Sequence, residues 1–264
     1  MPDPASRPAA PAGPDASAPA EADRTPVLSI DGARATIRLC RPSQHNRIDP
    51  DDLPVVHAHL DAALAAPGVR ALVFEGTGTR TFSSGYTLQA IASRLEERAF
   101  EGLLDRVETL RLPTVAAIRG GVYGGATDLA LCCDLRIGTT ASRMFMPAVR
   151  FGLHYYPAGM RRYVERLGAA AASRLFLTAA TIDADEMLRI GFLSQRVEPE
   201  ALDGAVDAAV AAFSDAEPGA LAAMKASLAE LASGRADPAV LERRFLDSLA
   251  SPALRERLAR RLGD

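Results

Sequence analysis

The spacing of apolar positions along the chain changes between a two-residue period and a helical period, which predicts strands and helices in turn. Two apolar segments near the start, residues 27–30 and 33–39, are joined by Asp31-Gly32, and this dipeptide predicts a β-hairpin. Apolar strands then alternate with amphipathic helices, an order typical of a mostly parallel sheet covered by helices. The predicted helices cover residues 50–66, 97–110 and 126–132, and the predicted strands cover residues 71–75, 115–118 and 135–138.

The two ends of the chain differ from this alternating centre. Strand signals fade after Ser173, and the sequence predicts helices at residues 184–190, 199–213, 218–233 and 238–262. Residues 1–25 are dense in Ala, Pro, Asp and Ser and hold no aromatic or large apolar cluster, which predicts a disordered tail. We therefore expect a tail at 1–25, an α/β core at 26–196 and a helical C-terminal region at 197–264.

The composition limits the classes of partner. A chain of 264 residues with 48% hydrophobic residues can bury one sizeable core, and its net charge of −3 argues against binding to nucleic acid. The cysteines are Cys40, Cys132 and Cys133, and no Cys/His pairs have zinc spacing, so we expect buried reduced thiols and no metal site. The sequence has neither a secretory signal nor an apolar stretch of membrane-spanning length, and we expect a cytoplasmic protein without a membrane partner.

Two short segments, residues 81–88 and 120–129, place glycine where an apolar strand gives way to a helix. Glycine lets the backbone approach a ligand closely, and the start of a helix leaves N–H groups without partners inside the helix. Two such N–H groups directed at one thioester carbonyl oxygen would stabilise an enolate. The sequence therefore predicts an oxyanion hole framed by these two segments.

Longer stretches around these glycines resemble the crotonase (enoyl-CoA hydratase/isomerase) superfamily, from about residue 27 to residue 249. The similar stretches are residues 82–85, 112–120, 124–137 and 191–197. The resemblance implies an α/β fold in which ββα units form a spiral, followed by a helical C-terminal trimerisation region. It also implies an acyl-CoA thioester substrate, with coenzyme A entering as part of the substrate rather than as a permanently bound cofactor, and a homotrimer or dimer of trimers.

Matched by position, the family's oxyanion hole falls on the backbone N–H groups of Tyr86 and Gly125. Hydratases of the family place one glutamate where this chain has Asp128 and a second where it has Ala148. A methyl group cannot transfer a proton, so ordinary hydration by two carboxylates does not match these residues. Asp128 is then the predicted proton carrier, and one carboxylate is enough to move a proton between two carbons of an enoyl-CoA, which is isomerisation.

A second difference from the hydratases lies at residues 151–159, where His154, Tyr155 and Tyr156 replace a glycine-rich turn. The segment is similar to the methylmalonyl-CoA decarboxylase branch, which has a tyrosine at the position of Tyr155 beside the departing carboxylate. Decarboxylation forms an enolate as CO2 leaves, so it needs an oxyanion hole and a proton donor but not two carboxylates. The histidine of that branch corresponds to Tyr86 here, whose phenol can donate a hydrogen bond, and His154 is a candidate general acid. The alternative for both tyrosines is packing in an amphipathic wall.

The remaining candidates concern coenzyme A, which the family binds along the first glycine segment. The resemblance points to Ser83, Ser84, Gly85 and Gly124 for substrate binding, and to Arg47 and Lys225 for the phosphates. The sequence thus predicts an enzyme of enoyl-CoA hydratase/isomerase type with Asp128 as proton carrier. Two alternatives stay open: a malonyl- or methylmalonyl-CoA-type decarboxylase that uses Tyr155, and a non-catalytic acyl-CoA-binding pseudoenzyme, which Ala148 suggests.

Overall fold

The computed structural model describes residues 22–93 and 98–263. The predicted tail at 1–25 lies outside these residues except for its last four positions. The chain opens with two antiparallel strands, β1 (Val27–Asp31) and β2 (Arg34–Leu39), in which Asp31 pairs with Arg34 across the turn. Gly32 in that turn has a φ of +52°, a conformation that glycine adopts without strain. The predicted hairpin is confirmed.

A six-stranded sheet forms the centre of the fold. After the hairpin its strands are β3 (Ala71–Gly76), β5 (Thr114–Ile118), β7 (Leu135–Thr139) and β10 (Gln195–Val197). They follow the order β1-β2-β3-β5-β7-β10, and every pair beyond the hairpin is parallel. Strands β3 and β5 are buried on both faces, which explains their continuous apolar runs.

A smaller second sheet stands beside the first. Its strands are β4 (Thr81–Ser83), β6 (Gly121–Tyr123), β8 (Arg143–Phe145) and β9 (Ile182–Asp183). Each is two or three residues long, and none was predicted, because so short a segment shows no period in the sequence. Strands β4 and β6 are parallel, with Thr81 opposite Gly121. Their carboxyl ends therefore meet at one edge of the sheet.

Helices cover both sheets and form the end of the chain. They are α1 (Asp52–Ala65), α2 (Leu88–Ser93), α3 (Ala99–Glu108), α4 (Gly125–Cys132), α5 (Pro157–Thr178), α6 (Ala184–Arg189), α7 (Leu202–Asp215), α8 (Pro218–Ala232), α9 (Pro238–Ala250) and α10 (Pro252–Leu262). Helix α5 was not predicted; it is interrupted at Gly168, where φ is +78°. The single helix predicted at 238–262 is wrong, because Ser251 is extended before Pro252 and the residue before proline disfavours helix.

The hydrophobic core lies on both faces of the large sheet. The main cluster joins the sheet to α1, α3, α4 and α5, and a second cluster packs Leu202, Val206 and Val210 of α7 against the other face. Helix α7 is therefore a layer of the core, although the predicted C-terminal region includes it. Helices α8, α9 and α10 contain no buried residue. All three cysteines are buried free thiols, as expected. Within residues 22–93 and 98–263, no helix is long and apolar enough to cross a membrane.

Candidate active site

The two predicted glycine segments meet where β4 and β6 end. Gly85 follows β4 with a φ of +85°, and a Cβ added to it would lie 2.6 Å from the backbone nitrogen of Gly125 and 2.7 Å from that of Ala126. A Cβ added to Gly125 would lie 3.4 Å from the backbone nitrogen of Tyr86. The parallel pairing of β4 with β6 thus brings the backbones of Tyr86 and Gly125 together, as the predicted oxyanion hole would require. Only glycine at position 85 permits the approach.

Hydrogen bonds hold the first segment in place. The Ser83 hydroxyl accepts a hydrogen bond from the Gly85 N–H at 3.0 Å and donates to the carbonyl of Asn46 at 2.7 Å. The N–H of Ile48 donates to the Gly85 carbonyl at 2.9 Å, and the N–H of Thr87 donates to Ile48 at 3.0 Å. The Ser83 side chain is buried and has internal partners, so the structure gives it a positioning role at the turn.

The second segment leads into α4, which begins at Gly125. Gly124 precedes the helix with a φ of +52°, and no side chain caps this end. The Thr127 hydroxyl donates to the Gly124 carbonyl at 2.6 Å, which fixes the first turn. The first N–H groups of a helix have no intrahelical acceptor and carry the positive end of the helix dipole. Negative charge that develops beside Gly125 is therefore stabilised.

A largely apolar cavity of about 470 Å³ adjoins both segments. The predicted site residues that line it are Ser84, Tyr86, Gly124, Gly125, His154 and Tyr155. The other lining residues are Leu88, Ala90, Ile91, Phe100, Glu101, Tyr123, Phe145, Met146, Pro147, Ala148, Phe151, Leu153 and Tyr156. The ring of Phe100 stacks on that of Tyr86, with centroids 4.9 Å apart and planes 12° apart. Such a cavity suits an apolar chain whose polar end lies at the two glycine segments.

A larger groove of about 950 Å³ lies elsewhere, beside the β1–β2 hairpin and α7. Several of its charged side chains form ion pairs with one another: Arg34 contacts Asp207 at 2.8 Å and Glu75 at 3.3 Å, and Arg119 contacts Asp203. None of the predicted site residues lines this groove. We therefore assign the candidate site to the smaller cavity, where the glycine segments meet.

Asp128 lies on α4 but does not line the cavity, and its side chain has no exposed surface. The Arg162 guanidinium donates from Nε to Asp128 Oδ1 at 2.8 Å and from Nη2 to Oδ2 at 3.1 Å. The hydroxyl of Tyr155 donates to Oδ2 at 3.2 Å, and that of Tyr156 donates to the same oxygen. The predicted proton carrier is therefore held behind the cavity wall by an arginine and two phenols.

The surroundings of Asp128 fix the charge of its partners. Burial alone would lower the pKa of Arg162, but its hydrogen bonds to Asp128 and the nearby negative charge outweigh burial and raise that pKa well above its usual value. Burial, followed by the charge of Asp128, raises the pKa of Tyr155 and of Tyr156 well above the usual value. The guanidinium thus stays charged while both phenols stay neutral donors.

The two tyrosines come from the turn before α5. Their ring centroids lie 4.5 Å apart, and both rings line the cavity while both hydroxyls reach Asp128. A Cβ at Gly159 would lie 2.3 Å from the Tyr155 ring and 2.7 Å from Asp128 Oδ2, so glycine lets the first turn of α5 approach this closely. Hydrogen bonds therefore join Asp128 to the tyrosine turn, a contact that was not predicted from the sequence.

The other predicted residues have different surroundings. His154 is exposed at the cavity, and Ala148 brings a methyl group to its wall from the short 3₁₀ turn Ala148–Phe151. Arg47 bonds to Asp49 at 2.8 and 3.0 Å, and Lys225 bonds to Asp134 at 2.7 Å. Neither basic residue lines the cavity, and their contact with phosphates stays a prediction.

Arg162 and Glu101 belong to the site but were not predicted from the sequence. Arg162 lies on α5, which was not predicted, so nothing indicated that a basic side chain meets Asp128. Glu101 lies on the predicted helix α3, but no motif marks it, and its place at the cavity follows from the contact of the preceding Phe100 with Tyr86. A carboxylate in the first turn of an amphipathic helix was the single available signal.

A sequence model of the enoyl-CoA hydratase/isomerase family matches residues 30–251. The chain belongs to this family. Among its relatives, the crotonyl-CoA hydratase of Syntrophomonas wolfei is 31% identical over 182 residues, which cover 67% of this chain and 70% of the relative. The short-chain-enoyl-CoA hydratase of Clostridium acetobutylicum is 31% identical over 183 residues, with the same coverage of both chains.

Solved structures agree with the family assignment. Pseudomonas aeruginosa DspI is 27% identical and superposes with a TM-score of 0.82 over 94% of this chain and 97% of its own. An enoyl-CoA hydratase subunit I from Geobacillus kaustophilus is 25% identical, with a TM-score of 0.83 over 91% of this chain and 96% of its own. The predicted crotonase-type α/β fold is confirmed, and the protein is an enoyl-CoA hydratase/isomerase-like enzyme.

Proposed function

We propose that the protein converts an acyl-CoA thioester through an enolate that the backbone N–H groups of Tyr86 and Gly125 stabilise. The observation that carries the proposal is the close approach of Gly85 and Tyr86 to Gly125 at the wall of an apolar cavity. Hydration and isomerisation of an enoyl thioester both place negative charge on the thioester oxygen, so both use this arrangement. The family and its named hydratases support an enoyl-CoA as the substrate.

The acyl chain lies in the cavity and the thioester oxygen faces the start of α4. An oxyanion-hole donor typically contributes about 3 kcal/mol to transition-state stabilisation, because it is already oriented toward the developing charge. The aromatic and aliphatic wall excludes water from the chain, which strengthens these hydrogen bonds.

Asp128 takes part in proton transfer through a tyrosine hydroxyl in this proposal. The Tyr156 phenol lines the cavity and donates to Asp128 Oδ2. In hydration, a proton that leaves the attacking water for the phenol oxygen releases the phenol's own proton to Asp128, and the reverse transfer returns both. The raised pKa of Tyr156 fits a phenol that is neutral at rest.

The direct test offers pure protein a panel of thioesters in deuterated water: crotonyl-CoA, longer 2-enoyl- and 3-enoyl-CoA, malonyl-CoA and methylmalonyl-CoA. Mass spectrometry reads addition of water, deuterium uptake and loss of CO2. Hydration, isomerisation or deuterium exchange without CO2 loss would support the proposal. Loss of CO2 from the malonyl thioesters alone would instead support the decarboxylase alternative through Tyr155, and silence across the panel would contradict the proposal.

A separate variant tests the role of Asp128. Asp128→Asn keeps the size of the side chain and removes its capacity to take a proton, so turnover should fall by about 100-fold or more. Because the variant also breaks a buried ion pair, its fold is checked by circular dichroism and its affinity for an unreactive butanoyl-CoA is measured. If folded Asp128→Asn turns over every substrate at the wild-type rate, Asp128 has no role in proton transfer.

A further inference from the structure

The chemistry proposed for the cavity needs a group inside it that takes and returns protons. Asp128 reaches the cavity through a phenol, and Ala148 offers a methyl group where hydratases of the family have a glutamate. Among the described residues that line the cavity, Glu101 is the single carboxylate. It comes from α3 rather than from either position that the family resemblance marks.

The neighbour of Glu101 fixes where it lies. Phe100 stacks on Tyr86, and a Cβ at Gly125 would lie 2.8 Å from the Phe100 ring. The first turn of α3 is therefore packed against both backbone segments of the oxyanion site. Glu101 is the next residue in that turn, and it lines the same cavity as Tyr86 and Gly125.

The hydrogen bonds of Glu101 occupy one of its two oxygens. Arg98 donates to Oε2 from Nε at 2.8 Å and also from Nη2. Within residues 22–93 and 98–263, Oε1 has no hydrogen-bond partner. The side chain of Glu101 is 19% exposed while that of Arg98 is 70% exposed, so the arginine holds the carboxylate from the solvent side. One oxygen is thus anchored, while the other has no hydrogen bond within these residues that a ligand would have to displace.

We propose that Glu101 is a catalytic acid–base that carries the substrate proton, in place of the glutamate that hydratases of the family have at the position of Ala148. The inference rests on the proposed function and names a further group for it. In the isomerisation of a 3-enoyl thioester, Glu101 takes a proton from C2, and the C–H electron pair forms the dienolate, whose oxygen lies at Tyr86 and Gly125. When the carbonyl reforms, the double-bond electrons between C3 and C4 take the same proton at C4, which leaves a 2-enoyl thioester and an ionised Glu101.

The test compares Glu101→Gln with a matched control, Glu186→Gln. Glu186 forms a similar ion pair with Arg189, at three residues' spacing and with side-chain exposures of 20% and 69%, but it lies on α6 and does not line the cavity. A third variant, Glu101→Asp, restores the carboxylate on a shorter side chain. The probe is 3-hexenoyl-CoA, followed by formation of the 2-enoyl product and by deuterium exchange at C2.

We expect Glu101→Gln to lower kcat and the exchange rate by about 100-fold or more, with KM and butanoyl-CoA affinity within about threefold of the wild type. Glu101→Asp should recover part of the loss, and Glu186→Gln should match the wild type. If the wild type exchanges deuterium and a folded Glu101→Gln exchanges it at the same rate, the role of Glu101 is overturned while the proposed function stands. A wild type that neither exchanges nor converts any thioester would overturn the proposed function and this inference with it.

Discussion

The Arg162 guanidinium lies 2.8 Å from the Asp128 carboxylate, and neither side chain has any exposed surface. The pair links α5 to α4, the helix that begins within the second glycine segment. Arg162 also reaches Asp105 and Glu108 of α3, each at 3.0 Å. One buried arginine therefore links α3, α4 and α5, and the carboxylate predicted to move protons also contributes to the packing of these helices.

Replacing Arg162 by methionine should destabilise the protein by about 3–5 kcal/mol, because Asp128 would remain buried without a positive partner. Urea denaturation followed by circular dichroism measures the free energy of unfolding. The double variant Arg162→Met with Asp128→Asn should lose less than the sum of the two single losses, since it buries no unpaired charge. A loss below about 1 kcal/mol for Arg162→Met would mean that the pair contributes no more than one at the surface.

Gly85→Ala should reduce kcat/KM by about 100-fold or more, because the added Cβ pushes the backbones of Tyr86 and Gly125 apart and removes donors from the enolate oxygen. Gly68→Ala is the matched control: Gly68 has the same φ of +85°, but its Cβ would meet nothing within 4 Å. Both variants carry the strain of a positive φ, and only the first should lose activity in a steady-state assay. Equal activities for the two would place the oxyanion hole elsewhere.

The ion pairs of Glu108 predict how stability changes with pH. Burial acts to raise the pKa of Glu108, but its hydrogen bond from Arg161 and the charge of Arg162 outweigh burial, so the pKa lies below the usual value of 4.5. A lowered folded-state pKa stabilises the fold above the unfolded value, and this contribution is lost as the pH falls through the folded value.

The free energy of unfolding should therefore fall as the pH drops below about 4.5, beyond the loss due to other groups. Glu108→Gln has no carboxylate to titrate, so its unfolding free energy should fall less over the same range. The measurement is urea denaturation of both proteins at several pH values. If the free energy of unfolding depends on pH in the same way in both proteins, the ion pairs of Glu108 with its arginines do not stabilise the fold.

Much of the fold could be predicted because its signals are local. The Asp31-Gly32 turn, the apolar runs of β3, β5 and β7 and the apolar start of α4 each have the period or the turn residues that their structure demands. The meeting of the glycine segments could be expected as well, from their shared pattern of glycine before a helix and from the resemblance to the crotonase superfamily. What brings Gly85 to Gly125 is the pairing of β4 with β6, strands too short to be predicted themselves.

The surroundings of the Asp128 carboxylate could not be predicted, because its main partner, Arg162, lies 34 residues further along the chain. That partner sits on α5, whose glycines and charged residues obscure its helical period and whose axis breaks at Gly168. The position of Asp128 on α4 was evident from the sequence, but whether its carboxylate faced a ligand or an arginine depended on tertiary packing. For the same reason Glu101 was missed, since its role depends on what Phe100 contacts.

The last three helices predict self-association. Helices α8, α9 and α10 bury no residue, and several of their large apolar side chains are more than half exposed, among them Met224, Leu228, Phe245 and Leu262. An apolar surface of this kind is usually covered by a partner. The resemblance to the crotonase superfamily implies that the partner is a second copy of the chain, in a trimer or a dimer of trimers.

Sedimentation equilibrium should therefore give three or six times the 27.9 kDa mass of one chain. Placing glutamate at both Met224 and Leu228, which are 65% and 66% exposed and one turn apart on α8, should lower that mass, because charge at an apolar contact opposes association. The control is Leu177→Glu, a leucine on α5 that is 74% exposed, and this variant should keep the larger mass. A wild type that sediments as a single chain at every concentration would contradict the expectation, and would show that these helices remain exposed in solution.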